Sequence, residues 1–94
     1  MKVLKIKASG WNIYMTSYGS ITMVSRYMML NRYMAAPKMR ELFRLYEDGR
    51  AVDVHEGRMH VRIAGGTFSV SMPDLEFAVP IESEEVVNLE ESPF

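Results

Sequence analysis

Residues 20–36, which read SITMVSRYMMLNRYMAA, form the segment around which we expect the rest of the chain to fold. At 100° per residue the segment separates into a narrow mixed face and a wide apolar arc. The narrow face contains Thr22, Ser25, Arg26, Met29, Arg32 and Tyr33; the arc contains Ile21, Met23, Val24, Tyr27, Met28, Leu30, Met34 and Ala35. We therefore predict a helix with Ser20 as its N-cap. So wide an apolar arc needs a sheet to cover it.

One residue contradicts this helix. Asn31 falls in the middle of the apolar arc, where an unpaired buried amide costs about 1–3 kcal/mol. Two alternatives remain open. Either the helix ends near Leu30, or Asn31 is buried and hydrogen-bonded.

A second amphipathic helix is predicted over residues 38–47. Pro37 ends the preceding element and suits the first position of a new helix. Gly49 follows the last apolar position and is placed as a C-terminal stop. The apolar face of this helix contains Met39, Leu42, Phe43, Leu45 and Tyr46.

After Gly49 the apolar residues recur with a period of two, which predicts an antiparallel meander of four strands. The strands cover residues 50–55, 58–63, 67–72 and 75–81, joined by two-residue turns at Glu56-Gly57, Gly65-Gly66 and Pro73-Asp74. These turns pair Val54 with Met59, Val52 with Val61, Val61 with Val70, Val70 with Phe77, and Phe68 with Val79. Pro80 should place the last strand at the edge of the sheet.

The predicted fold is a single α+β domain over residues 1–94. Its antiparallel sheet combines the meander with an N-terminal hairpin, Lys2–Ala8 and Trp11–Thr16, and both helices pack on one face of that sheet. An acidic tail of about residues 82–94 could be a helical turn, an added strand or frayed. We expect Val52, Val61, Phe68, Val70, Phe77 and Val79 to be buried, and His60, Arg62, Ser69 and Ser71 to face outward.

Composition excludes several functional classes. The chain has no cysteine, so disulfide frameworks, thiolate metal sites and cysteine nucleophiles are ruled out. Lysines interrupt the N-terminal apolar run, and no window is long and apolar enough for a membrane span. We therefore expect a soluble cytoplasmic protein that needs no cofactor and contacts no membrane.

The predicted register aligns four polar residues across the meander: Asp53, His60, Ser71 and Glu76. A Ser/His/Asp row suggests a hydrolase, but mid-strand amides are already used in the ladder and leave no oxyanion hole. We predict no catalytic residue and no enzyme, with a hydrolase using Asp53, His60 and Ser71 as a third alternative.

No metal site is predicted at the same hairpin. His55, His60, Asp53 and Glu56 offer nitrogen and oxygen donors. The predicted register, however, places the two histidines two residue pairs apart, with no further strong ligand at a defined spacing.

Charge is divided between the two halves of the chain. Residues 1–46 hold eight Lys/Arg and one acid, and residues 47–94 hold three Lys/Arg and eleven acids. Such a separation steers association without supplying catalysis. The small size, the lack of catalytic equipment and this charge division resemble small accessory proteins, including inhibitors carried by phages and mobile elements, that dock on a larger protein machine.

We therefore expect a non-enzymatic binding protein that regulates or inhibits a larger protein partner. The contact residues predicted for it are Arg26, Met29, Arg32, Tyr33, Glu82, Glu84, Glu85, Glu90 and Glu91. The runner-up is a nucleic-acid-binding protein that uses Lys5, Lys7, Trp11, Tyr14, Arg58 and Arg62, in which cations alternate with aromatic rings. We also expect a homodimer, because the predicted edge strands and the stripe of Met, Tyr and Arg are unmatched, and the charge division favours contact between unlike halves of two chains.

Overall fold

The computed structural model describes residues 1–89, which form one antiparallel sheet of eight strands and a single helix. The elements are β1 Lys2–Ala8, β2 Trp11–Thr16, β3 Ser20–Ser25, β4 Met29–Tyr33, α1 Ala36–Glu47, β5 Val52–Glu56, β6 Met59–Ala64, β7 Thr67–Met72 and β8 Leu75–Asn88. The prediction of an α+β fold with two helices packed on a sheet is therefore wrong. Residues 20–36 form β3, β4 and only the first residue of α1.

The sheet consists of two four-stranded meanders that flank α1 in the chain. Its strand order is β4-β3-β2-β1-β8-β7-β6-β5, so the first strand of one meander lies beside the last strand of the other. The 14-residue β8 makes this junction: its residues 75–80 pair with β7 and its residues 81–88 pair with β1. A register shift between Lys7 and Ala8 marks a bulge at the junction, and bulges bend and twist a strand.

The first meander forms because the same apolar residues also fit a period of two. Ile21 and Met23 on β3 point into the core and are fully buried. The Oγ of Ser25 accepts hydrogen bonds from the backbone N–H groups of Tyr27 and Met28, at 3.2 and 3.3 Å. A serine that bonds to the backbone two residues ahead favours a turn, so the chain reverses where the predicted helix would have continued.

Neither alternative for Asn31 is correct. The residue lies on β4 and is exposed. Its Oδ1 accepts a hydrogen bond of 2.8 Å from the Oγ1 of Thr22, its cross-strand partner on β3. The amide is therefore satisfied on the outer face of a sheet.

The second predicted helix is present as α1. Pro37 lies in its first turn, and Met39, Leu42 and Phe43 are buried. The N–H of Gly49 donates to the carbonyl of Tyr46 at 3.0 Å, with Gly49 at a φ of +71°, which is the expected C-terminal stop. A helix that spans a membrane needs about 20 apolar residues; α1 has 12, and no helix within residues 1–89 could cross a bilayer.

The predicted C-terminal meander is present as β5–β8, and two of its three turns have the predicted register. Val61 lies opposite Val70, across the Gly65-Gly66 turn. Val70 lies opposite Phe77, across the Pro73-Asp74 turn. The N-terminal hairpin of β1 and β2 is also confirmed.

The register predicted for the remaining turn is wrong. The loop residues are Gly57 and Arg58, so Val54 pairs with Val61 instead of Met59. Gly57 has a φ of +55° in the first loop position, where a type II′ turn places its glycine. The resulting shift of two residues leaves every side chain on its predicted face but changes every partner between β5 and β6.

The prediction that Pro80 marks a sheet edge is also wrong, because β8 lies between β7 and β1. Pro80 lies opposite Thr67, the first residue of β7, where pairing passes from β7 to β1. Its carbonyl accepts a 2.9 Å hydrogen bond from the N–H of Ser9. The missing donor of proline is thus tolerated at the point where the ladder changes partner.

One apolar cluster joins both meanders and α1. Its buried members are Leu4, Ile6, Ala8, Ile13, Met15, Ile21, Met23, Met34, Met39, Leu42, Phe43, Val52, Val54, Val61, Ile63, Phe68, Val70 and Met72. Four of the six residues predicted to be buried belong to it, whereas Phe77 and Val79 are only partly buried against it. The four residues predicted to face outward lie on the opposite side of their strands.

The acidic tail was predicted from about residue 82 onward. Residues 82–88 form the second part of β8 and pair with β1, so in this part the added-strand alternative is correct. Residues 90–94 lie outside the described part of the chain.

Candidate functional site

β4 lies at one edge of the sheet and pairs on one side only, with β3. In an antiparallel ladder, the backbone groups of alternate residues point toward and away from the partner strand. The Ser25 N–H bonds to the Met28 carbonyl, and the Met34 N–H bonds to the Gly19 carbonyl. This alternation turns the backbone groups of Met29, Asn31 and Tyr33 toward the open edge.

Apolar side chains surround this open edge. Tyr27 and Met28 lie at the β3–β4 turn, and Met29 and Tyr33 project from the outer face of β4. Their relative exposures range from 48% for Met28 to 86% for Tyr27. We call these four residues, together with the outward backbone of β4, the β4 edge patch. Exposed apolar residues that are grouped in this way mark interaction sites.

The four residues predicted to form one contact stripe on a helix do not share one face in the structure, because β4 places them on opposite sides of the sheet or in the turn before it. Met29 and Tyr33 belong to the β4 edge patch, and Arg26 is exposed in the adjoining turn. Arg32 lies on the inner side and donates to the Oδ2 of Asp74 at 2.6 Å, which links β4 to the β7–β8 turn. The other terminal nitrogen of this guanidinium, Nη1, donates a 2.9 Å hydrogen bond to the Asn31 carbonyl. One acceptor of the open edge is therefore already used.

Three of the predicted acidic contacts, Glu82, Glu84 and Glu85, lie on β8, far from β4 in the strand order. Glu84 accepts a 2.6 Å hydrogen bond from the Tyr46 hydroxyl of α1; burial, reinforced by this carboxylate, raises the pKa of Tyr46. Glu85 lies 3.7 Å from the ammonium of Lys5. Glu82 is exposed, whereas Glu90 and Glu91 lie outside the described residues.

The residues of the nucleic-acid alternative do not meet on one surface. Lys5, Lys7 and Tyr14 share the outer face of the first meander, with Lys5 opposite Tyr14. Trp11 lies on the opposite face, where its ring stacks on Phe77 at a centroid distance of 4.4 Å. Two further cations, Arg58 and Arg62, are placed at the β5–β6 turn and on β6, beyond β8 and β7.

The polar row of the second meander is only partly as predicted. His60 lies opposite Ser71, and Ser71 lies opposite Glu76. Asp53, however, lies opposite Arg62, one residue pair away. Within residues 1–89, the Ser71 hydroxyl forms no hydrogen bond with His60. Asp53 still reaches His60 diagonally at 2.6 Å, and this hydrogen bond is the main reason that the pKa of Asp53 is lowered.

The corrected register brings the two histidines together. His55 lies directly opposite His60, and their rings stack with centroids 3.8 Å apart. The Oδ1 of Asp53 lies 3.4 Å from the Nε2 of His55 and 2.6 Å from the Nε2 of His60. Glu56, the fourth residue with a donor atom at this hairpin, instead accepts a 2.8 Å hydrogen bond from the Ala35 N–H.

Sequence reasoning missed two residues of the β4 edge patch. Tyr27 and Met28 were assigned to the buried arc of a helix, whereas both are exposed. The signal that could have found them is Ser25, whose side chain favours a turn over the next residues. The turn residues Arg26 and Tyr27 are not themselves typical of hairpins.

Comparisons of the chain with protein-family models, curated proteins and solved structures give no match.

Proposed function

We propose that this chain is a non-enzymatic binding protein whose β4 edge patch takes up an extended segment of a larger partner protein and thereby regulates or inhibits that partner. The observation that carries the proposal is the open edge of β4, bordered by Tyr27, Met28, Met29 and Tyr33. A strand added to such an edge gains main-chain hydrogen bonds, and alternate side chains give specificity.

Natural proteins normally protect edge strands with lysine, proline, bulges or inward-pointing charges. β4 has neither lysine nor proline. Its one charged residue, Arg32, is an inward-pointing charge, but it is paired with Asp74 and covers one carbonyl of the edge, that of Asn31. Its exposed side chains are tyrosine and methionine, both enriched at the centres of protein interfaces. The patch therefore combines a template for strand pairing with the side chains of an interface.

The geometry favours a particular chemistry for the partner segment. The segment must be extended, with apolar residues at every second position to cover Met29 and Tyr33 on the outer face. Arg26, exposed at the end of the patch, favours an acidic residue at the corresponding end of the segment. The nucleic-acid alternative has less support, because Trp11 packs against the core and two strands, β8 and β7, separate β1 from the strand that carries Arg62.

A displayed library of random peptides, selected against the purified full-length chain, tests this proposal. We expect the selected peptides to share an alternating apolar pattern. Asn31→Pro removes one N–H that faces the open edge and leaves the β3 ladder intact. It should weaken peptide binding by at least 10-fold, because a hydrogen bond is lost and the ring obstructs the added strand. Isothermal titration calorimetry measures the change.

Asn31→Ala is the matched control. It removes the bond from Thr22 but keeps the N–H, so peptide affinity should change less than threefold. Peptides without alternation, or peptides bound equally well by the proline variant, would contradict docking at β4. The homodimer remains a separate prediction, which light scattering checks. If the dimer forms and Asn31→Pro abolishes it, a second copy occupies the edge and the partner-protein proposal fails.

A further inference from the structure

We propose that Asp53, His55 and His60 form a binding site for one divalent transition-metal ion, and that Zn²⁺ is the ion that suits it. The site lies on β5 and β6, at the opposite end of the strand order from β4. It is independent of the proposed docking function.

The three donor atoms lie within 4.8 Å of one another. The two imidazole rings are stacked with only 9° between their planes, so one exposed ring has to rotate before both nitrogen lone pairs can point at one ion. Zinc binds nitrogen and carboxylate oxygen at about 2.0–2.1 Å in a tetrahedron, which separates neighbouring donors by about 3.3 Å. Asp53 Oδ1 and His55 Nε2 are 3.4 Å apart. The separation of 2.6 Å between Asp53 Oδ1 and His60 Nε2 has to lengthen by about 0.7 Å to meet that geometry, which rotation of the exposed Asp53 side chain can supply.

The backbone fixes the positions of these donors. His55 and His60 form a cross-strand pair close to the tight Gly57-Arg58 turn. Asp53 precedes His55 by two residues, so its side chain rises from the same face of β5. Three donors on a two-stranded ladder are held at a defined spacing, as a metal site on regular structure requires.

The type of donor selects the ion. Two imidazoles and one carboxylate suit zinc and related transition metals, whereas Mg²⁺ and Ca²⁺ prefer oxygen ligands. Three protein ligands leave the fourth position of a tetrahedron open. That position faces solvent, since Asp53 and His55 are exposed on the outer face, and water or a donor from a bound molecule can fill it.

Attribution is unusually simple in this chain. His55 and His60 are its two histidines, and it has no cysteine. Any zinc signal that involves imidazole must therefore come from these two residues, provided that the protein carries no histidine tag.

Titration of the untagged full-length chain with zinc chloride tests the site. Calorimetry should give one Zn²⁺ per chain. Two-dimensional ¹H–¹⁵N spectra of the imidazoles should show both Nε2 resonances shifting together, while magnesium chloride shifts neither. Loss of a partner outside the coordination shell typically weakens metal binding by about 10–100-fold. His55→Ala, His60→Ala and Asp53→Asn should each weaken zinc binding by at least 10-fold, because each removes or impairs a direct ligand.

Glu76→Gln is the control, since Glu76 is an exposed acid on the same outer row and is not a ligand. Its zinc affinity should equal that of the unmodified chain. Circular dichroism verifies that each variant is folded, which the outward position of all four residues favours. The proposal is overturned if no zinc binds, if only one imidazole responds, or if His55→Ala and His60→Ala bind zinc as tightly as the parent.

Discussion

Phe68→Ala is expected to lower the free energy of unfolding by about 3–5 kcal/mol, the usual cost of removing a buried phenylalanine side chain. Phe68 is fully buried on β7, between Ile63 of β6 and Val79 of β8. Its ring also contacts that of Phe77 at a centroid distance of 5.9 Å, and Phe77 in turn stacks on Trp11 of β2. The substitution therefore opens a cavity where aromatic rings connect the two meanders.

Urea denaturation followed by circular dichroism measures this loss. Domains are stable by only about 5–15 kcal/mol, so the variant should unfold at a much lower urea concentration. Ser69→Ala is the matched control, because the neighbouring side chain faces outward; it should change stability by no more than about 0.5 kcal/mol. If Phe68→Ala lowers the free energy of unfolding by less than about 1 kcal/mol, Phe68 of β7 is not packed in the core as described.

The second meander could be predicted because two of its turns and its alternation of apolar and polar residues indicate the same strand register. Gly65 and Gly66 both adopt positive φ angles, at 60° and 74°, a conformation that favours a hairpin with two glycines in its loop. Val61 and Val70 are buried on one face while Arg62 is exposed on the other. Such a pattern has one consistent register.

The second half of the first meander, β3 and β4, could not be predicted in the same way, because these two strands carry apolar residues on both faces. Ile21 and Met23 are buried, but Val24 is half-buried on the outer face and Met29 and Tyr33 are exposed there. Because these outer residues are apolar, the sequence of β3 and β4 does not alternate between apolar and polar residues. At helical spacing, most apolar residues of the two strands instead form a wide arc. Two of the outer residues, Met29 and Tyr33, also belong to the β4 edge patch.

The histidine pair was missed for a local reason. Both Glu56-Gly57 and Gly57-Arg58 are two-residue loops that contain one glycine, and they differ only in which loop position Gly57 takes. A displacement of the loop by one residue moves the partner of each strand residue by two. His55 therefore lies opposite His60 in the structure, although the sequence predicted two pairs between them.

Gly19→Ala should also be strongly destabilising, for a different physical reason. Gly19 is buried with a φ of +116°, and a backbone held there by a residue other than glycine costs about 1–3 kcal/mol. A Cβ atom at this position would also overlap the Met34 carbonyl oxygen. That oxygen belongs to the backbone, so a side-chain rotation cannot relieve the overlap.

The overlap must displace the chain where β4 leads into α1, because the Met34 N–H donates to the Gly19 carbonyl at 2.8 Å. We expect Gly19→Ala to lower the free energy of unfolding by more than about 3 kcal/mol, the upper end of the conformational cost alone. Gly10→Ala separates the two contributions: Gly10 has a φ of +81°, but a Cβ there meets no atom within 4 Å. Gly10→Ala should therefore lower the free energy of unfolding only by the cost of holding alanine at a positive φ, about 1–2 kcal/mol. Urea denaturation of both variants compares them directly, and equal losses would show that the β2–β3 turn does not pack against Met34.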